Sequence, residues 1–258
     1  MTPTTVTVAA AQIRAVGDPT ENLSTVAEQT RRAADAGARI VVFPEATMAA
    51  FGSDLAAVAE PLDGPFAEGV RHTAEQHGIT LVVGMFTPAT DGRVHNTLLL
   101  TGPDGECTYD KIHLYDAFGS RESDTVAPGN RLVTAQVAGI TVGLATCFDL
   151  RFAAQFIDLG RAGSELVIVP ACWGEGPGKA EQWDLLVRAR AMDAQSHLLA
   201  CDTAWQPPAG STPLGIGRST LVDPLGGVRS RLSHEESLLL ADIAPHIVHD
   251  TRKRLKTL

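Results

Sequence analysis

Ile140-Thr141-Val142-Gly143-Leu144-Ala145-Thr146-Cys147-Phe148-Asp149-Leu150-Arg151-Phe152 is an apolar run that ends at a cysteine and passes into polar, helix-forming sequence. Residues 140–145 read as a short buried strand, and a helix is expected over 151–162. The turn at such a junction exposes a thiol, and the backbone N–H groups at the helix start can receive a developing negative charge. The same alternation continues downstream, with a strand at 165–169, a helix at 179–196 and a strand at 197–203. It also runs upstream. A strand at 5–13 is followed by Asp18-Pro19, an N-cap and N1 proline for a helix over 21–36 that Gly37 ends. A strand at 39–43 stops at Pro44, a helix over 65–77 closes at Gly78, and a strand follows at 79–86. The opening third therefore reads β-α-β-α-β. Between these blocks, strands at 94–101, 106–109 and 132–137, joined by turns such as Pro103-Asp104-Gly105, imply antiparallel additions. A hairpin pairs 219–222 with 228–231, and a strand at 237–243 follows. Leu and Val fill both faces of the strands, as in sheets covered on both sides.

The chain has 258 residues, 44% of them hydrophobic and 20% charged, which suits one large α/β domain over residues 1–258 and excludes disorder. The net charge is −9, with 21 basic residues scattered among 30 acidic ones, so no nucleic-acid partner is expected. The only basic cluster is Arg252, Lys253, Arg254 and Lys256, read as a solvated tail or part of a subunit contact. No apolar run nears the roughly 20 residues that span a bilayer. Met1 to Thr5 is polar and resembles no leader. A cytoplasmic protein with reduced thiols is expected.

Three elements carry chemistry. Glu45 follows the strand at 39–43, at the edge where α/β folds place their sites. Tyr109-Asp110-Lys111-Ile112-His113-Leu114 puts a cation and an imidazole in a run without glycine. Cys147 is the third. Cys107, Cys172 and Cys201 lie in or at the ends of strands and read as small buried hydrophobes. There is no CxxC pair, GxSxG elbow or HExxH, and Gly174–Lys179 lacks phosphate-loop spacing.

Phe43-Pro44-Glu45, the lysine segment and Thr146-Cys147-Phe148-Asp149-Leu150-Arg151-Phe152, in that order, resemble the nitrilase superfamily of carbon–nitrogen hydrolases. Arg188-Ala189-Arg190-Ala191-Met192-Asp193, Gly217-Arg218-Ser219 and Val222-Asp223-Pro224-Leu225-Gly226 extend the likeness over nearly the whole chain. Within the superfamily the chain looks most like the omega-amidase and deaminated glutathione amidase branch, although Phe148 stands where Tyr is frequent and Asp193 where Glu is usual. The resemblance implies a four-layer αββα sandwich and a Glu45–Lys111–Cys147 triad. Cys147 would be the nucleophile and Glu45 the general base. Lys111 and the Phe148 N–H would hold the oxyanion. Glu122 resembles the family's second glutamate, which orients the lysine and the substrate amide. It implies no cofactor or metal, a small-molecule amide substrate, and a homodimer formed through one helical layer, with 245–256 reaching across the contact. Nitrile or N-carbamoyl hydrolysis, or an inactive binding scaffold, are the alternatives. Trp173 is expected to wall the pocket. Arg121, Lys179 and Arg218 are candidates to bind a substrate carboxylate.

Overall fold

A computed structural model describes residues 5–207 and 215–258; most of the polar start, Met1–Thr4, lies outside them. Two six-stranded sheets face each other. The first has the order β12-β1-β2-β3-β4-β5, where β1 is Val6–Gln12, β2 Ile40–Val42, β3 Thr80–Pro88, β4 Val94–Gly102, β5 Gly105–Asp110 and β12 Ser237–Ile243. The second runs β11-β10-β9-β8-β7-β6, with β6 Thr134–Val137, β7 Ile140–Leu144, β8 Leu166–Ala171, β9 His197–Asp202, β10 Thr220–Val222 and β11 Val228–Arg231. In each sheet the central three strands, β1-β2-β3 and β7-β8-β9, are parallel, and antiparallel strands extend the margins. The expected hairpin is β10–β11, but the strand after it leaves that sheet and pairs with β1 from Val6↔Ile243 to Gln12↔Ser237.

The period of two explains the continuous apolar runs. In β1, Val8 and Ala10 face the core between the sheets, while Ala9 and Ala11 face helices. β8 does the same with Ile168 toward the first core and Val167 and Val169 toward the second helical layer. Helices α1 (Pro19–Asp35) and α3 (Pro65–His77) cover the first sheet, and α4 (Ala153–Arg161) and α5 (Lys179–Ala194) cover the second, giving the αββα sandwich. Asp18 caps α1 by accepting the Thr20 N–H at 2.8 Å, and Gly78 closes α3 at φ 61°. The helix expected from residue 151 begins differently. Cys147–Arg151 is a 3₁₀ turn, and α4 starts at Ala153.

Helix α2 (Leu55–Val58) is one turn after the Glu45 loop, and α6 (Pro245–Arg254) ends the fold. Arg252 on α6 donates to the carbonyls of Ser164 and Ala194, and Gln195 donates to the Leu255 carbonyl. The end of the chain is thus pinned to its own subunit. Among the described residues no helix is long and apolar enough to cross a membrane. None of the four cysteines is in a disulfide.

Candidate active site

Glu45 leaves the C-terminal edge of β2, Lys111 follows β5, and Cys147 follows β7. The sheets face each other, so these three ends converge. The Glu45 loop is pressed on β3. A Cβ at Gly84 would lie 1.6 Å from the Glu45 carbonyl oxygen, so only glycine lets the loop pass so close. The Gly84 carbonyl in turn accepts the Met48 N–H at 2.9 Å.

Lys111 Nζ lies 2.7 Å from Glu45 Oε1, and 3.0 and 2.9 Å from the two oxygens of Glu122. Lys111 is 2% exposed and Glu45 1%. Burial is the largest influence on the Lys111 ammonium and opposes its charge. The Glu45 and Glu122 carboxylates lead the opposing influences, and the group is held well above the ordinary lysine range. The ammonium thus meets three oxygens of two carboxylates, one on Glu45 and both on Glu122. Glu45 Oε2 accepts the Cys172 N–H at 2.9 Å, and the Tyr115 N–H binds Glu122 Oε2 at 2.5 Å.

Cys147 opens its 3₁₀ turn at φ 43°, in the left-handed region that non-glycine residues rarely adopt. Its thiol is pushed well above the usual range, first by burial and then by the Glu45 carboxylate, with Lys111 pulling the other way. The resting group is therefore a thiol that needs a base. Asp149, fully buried, braces the turn. Its oxygens accept the Thr146 N–H at 2.8 Å, the His113 N–H at 3.0 Å and the Tyr109 hydroxyl at 2.5 Å. One carboxylate thus ties the cysteine turn to the lysine segment. The His113 ring meets the same oxygen and stacks on Phe152 at 3.5 Å.

A cavity of about 350 Å³ opens over these groups and is lined by all six residues singled out from sequence: Glu45, Lys111, Glu122, Cys147, Phe148 and Trp173. Trp173 is held by its N–H on Asp202 at 2.7 Å and by its indole N–H on the Lys179 carbonyl at 3.0 Å. Three readings change. Arg218 does not line the cavity, and Asp184 on α5 pairs with its guanidinium through Nε at 3.2 Å and a second nitrogen at 2.5 Å. Cys172, read as a packing thiol, lines the cavity. Arg151, not considered as a cation for the pocket, lines it too, with its guanidinium over the Phe148 and Trp173 rings at 5.6 and 5.1 Å. Arg121 and Lys179 reach the rim as expected. Asn96 was missed outright. It donates to Glu45 at 2.8 Å and to Glu122 at 3.2 Å, and a lone Asn in a strand gives no sequence signal.

The model of the carbon–nitrogen hydrolase family matches residues 7–253. The chain belongs to that family. This carbon–nitrogen hydrolase is 48% identical over 262 residues to the Mycobacterium tuberculosis protein "Hydrolase Rv0480c", covering 97% of this chain and 94% of the relative. It is 32% identical to the deaminated glutathione amidase of Escherichia coli O157:H7, covering 97% and 95%. Its fold superposes on Saccharomyces cerevisiae Nit3, a member of the nitrilase superfamily, with a TM-score of 0.86 at 24% identity, covering 98% of this chain and 95% of that one. The four-layer architecture and the amidase side of the family thus stand as the sequence motifs implied.

Proposed function

We infer that this hydrolase cleaves the C–N bond of a small, carboxylate-bearing amide through a thioester on Cys147, releasing ammonia. The observation that carries the reading is Lys111, seated between Glu45 and Glu122 on the floor of the cavity that Cys147 also lines. In the first half-reaction Glu45 takes the Cys147 proton, and the sulfur adds to the amide carbon. The carbonyl oxygen becomes an oxyanion held by the Lys111 ammonium, which shares one of its two Glu122 contacts with it, and by the Phe148 N–H. As the C–N bond breaks, Glu45 returns the proton to nitrogen and ammonia leaves. Glu45 then deprotonates a water that attacks the thioester, the C–S bond breaks, and the thiol regains its proton as the acid departs. No step calls for a metal or cofactor.

The carboxylate preference rests on the cations around the cavity. Lys179 Nζ sits 3.3 Å from the Tyr115 hydroxyl and over the Phe118 ring at 4.4 Å, and among the described residues it makes no ion pair. Arg151 faces the same space. Arg121 is the weaker anchor, being exposed and paired with Asp124. The Escherichia coli relative carries the name deaminated glutathione amidase, which supports the amidase part of the reading. A cytoplasmic homodimer over one continuous domain is part of the proposal. Leu185 and Met192 on α5, with Leu225 in a nearby turn, are exposed apolar residues on the outer helical layer, and light scattering would return twice the chain mass.

The test is a substrate panel read by ammonia release. A charge-assisted hydrogen bond contributes about 1.5–3 kcal/mol, so 2-oxoglutaramate should exceed butyramide by roughly 10- to 150-fold in kcat/KM. Equal turnover of butyramide, or of a short aliphatic nitrile, removes the carboxylate preference. No ammonia from any amide removes the amidase reading.

A further inference from the structure

The Asn96 side chain spends both hydrogens of its amide nitrogen on carboxylates, one on Glu45 Oε1 and one on Glu122 Oε1. The backbone carbonyl of Asn96 accepts the Lys111 backbone N–H at 2.9 Å. One residue of β4 therefore touches Glu45, Glu122 and the backbone of Lys111. Its amide oxygen is buried with no partner. Turning the amide over would aim that oxygen at two anions, so electrostatics fixes the orientation and leaves the acceptor orphaned. A buried unpaired acceptor is a cost that folding alone would not select. An apolar side chain would avoid it, but would leave two carboxylates sharing a single ammonium.

We propose that Asn96 is a positioning residue that clamps Glu45 and Glu122 about Lys111 and selects Glu45 Oε2 as the oxygen that carries the proton. The selection follows from counting donors. Lys111 and Asn96 both point at Oε1, which fills its lone pairs. Oε2 receives only the Cys172 N–H and keeps one lone pair for the thiol, the leaving nitrogen and the water in turn. Without Asn96, Glu45 Oε1 has a free lone pair, Glu122 loses a donor, and the two anions repel with nothing between them but Lys111.

The role rests on the amidase reading for its kinetics, so the experiment has two arms. Asn96→Leu should lower kcat for 2-oxoglutaramate at least roughly a hundredfold while KM moves less than about threefold, because the amide acts on the reacting carboxylate and not on substrate binding. A crystal structure of the same variant should show at least one of the Glu45 and Glu122 carboxylates rotated away from Lys111. Asn96→Asp adds a third acid facing Glu45, Glu122 and the Lys111 ammonium. Only its protonated form can donate, so its rate relative to the unaltered enzyme should rise as pH is lowered. A kcat within about threefold for Asn96→Leu, unmoved carboxylates in its crystal structure, or a pH-independent ratio for Asn96→Asp overturns the proposal. If the unaltered enzyme releases no ammonia, the amidase reading fails and the crystal structure still decides the role of Asn96.

Discussion

Replacing Glu45 by Gln separates the base from the scaffold. The side-chain oxygen of the glutamine must take the place of Oε1, because Lys111 Nζ at 2.7 Å and Asn96 Nδ2 at 2.8 Å both donate there. The new NH₂ then occupies the place of Oε2, where the Cys172 N–H points at it from 2.9 Å. One buried donor meets another, a defect that costs about 1–3 kcal/mol of stability. Stripping Lys111 of every partner would cost about 3–5 kcal/mol, but it keeps both oxygens of Glu122 and stays charged. Melting should therefore drop by about 2–4 °C per kcal/mol, and the protein should remain folded. Hydrolysis should fall at least roughly a thousandfold, about 4 kcal/mol in the barrier, because in the proposed mechanism nothing remains to protonate the leaving nitrogen or activate water. The thiol should behave in the opposite way. The Glu45 charge is one cause of the raised Cys147 pKa, so its loss eases ionisation. Alkylation of Cys147 by iodoacetamide, followed by peptide mass, should be at least as fast as in the unaltered enzyme. Hydrolysis above about a tenth of normal would refute Glu45 as the proton carrier, and slowed alkylation would refute its charge as a cause of the raised thiol.

Cys147→Ser should fold and lose at least roughly a thousandfold in kcat/KM, whereas Cys172→Ser keeps the N–H that binds Glu45 and should stay within about tenfold; equal losses in ammonia release would reassign the nucleophile. Lys111→Arg keeps the charge, but a planar guanidinium cannot fit between Glu45 and Glu122 and still offer a hydrogen to the oxyanion; near-normal kcat would count against that role. Stability should also fall at alkaline pH. Burial raises the thiols of Cys147 and Cys201, and raises Cys172 to about 12. They stay protonated in the fold while the unfolded chain ionises near about pH 8.5. Their contribution is therefore complete below that pH and lost above it. Melting by calorimetry should decline from about pH 8.5 upward, and Cys201→Ala should flatten the slope; an unchanged melting temperature up to about pH 10 would contradict the sign.

Strands and helices were legible where one period dominated. The alternate residues of β1 and β8 each have a core to enter, so their apolar runs could only be strands covered on both sides. Pro65 and Gly78 bounded α3 at both ends because each permits one backbone state and forbids the next helical turn. The helix at residue 151 was misplaced because Asp149 serves two masters. It bonds the Thr146 N–H locally, which tightens the first turn to 3₁₀, and it binds Tyr109 and His113 from far along the chain. The pocket cations were half legible. Arg218 and Arg151 look alike in sequence, and only Asp184, 34 residues from Arg218, decides which one is neutralised. Asn96 and Gly84 carry no local pattern, because what gives them meaning is a carboxylate or a carbonyl on another strand.

Why the reacting groups gather here follows from the arrangement of charge. Glu45 and Glu122 bring two negative charges into the cavity floor and Lys111 brings one positive. Burying such a set costs stability unless further donors meet the carboxylate oxygens. The donors come from the ends of strands and from loops, where backbone N–H groups are free of the sheet ladders: Cys172 after β8 and Tyr115 after β5, with Asn96 from β4. A thiol placed beside that net negative charge resists ionising, which keeps it inert toward chance electrophiles. In the proposed mechanism it becomes a nucleophile when its proton passes to Glu45 as the substrate carbonyl meets Lys111. On that mechanism, the same burial that stabilises the resting thiol ties its reactivity to an occupied site.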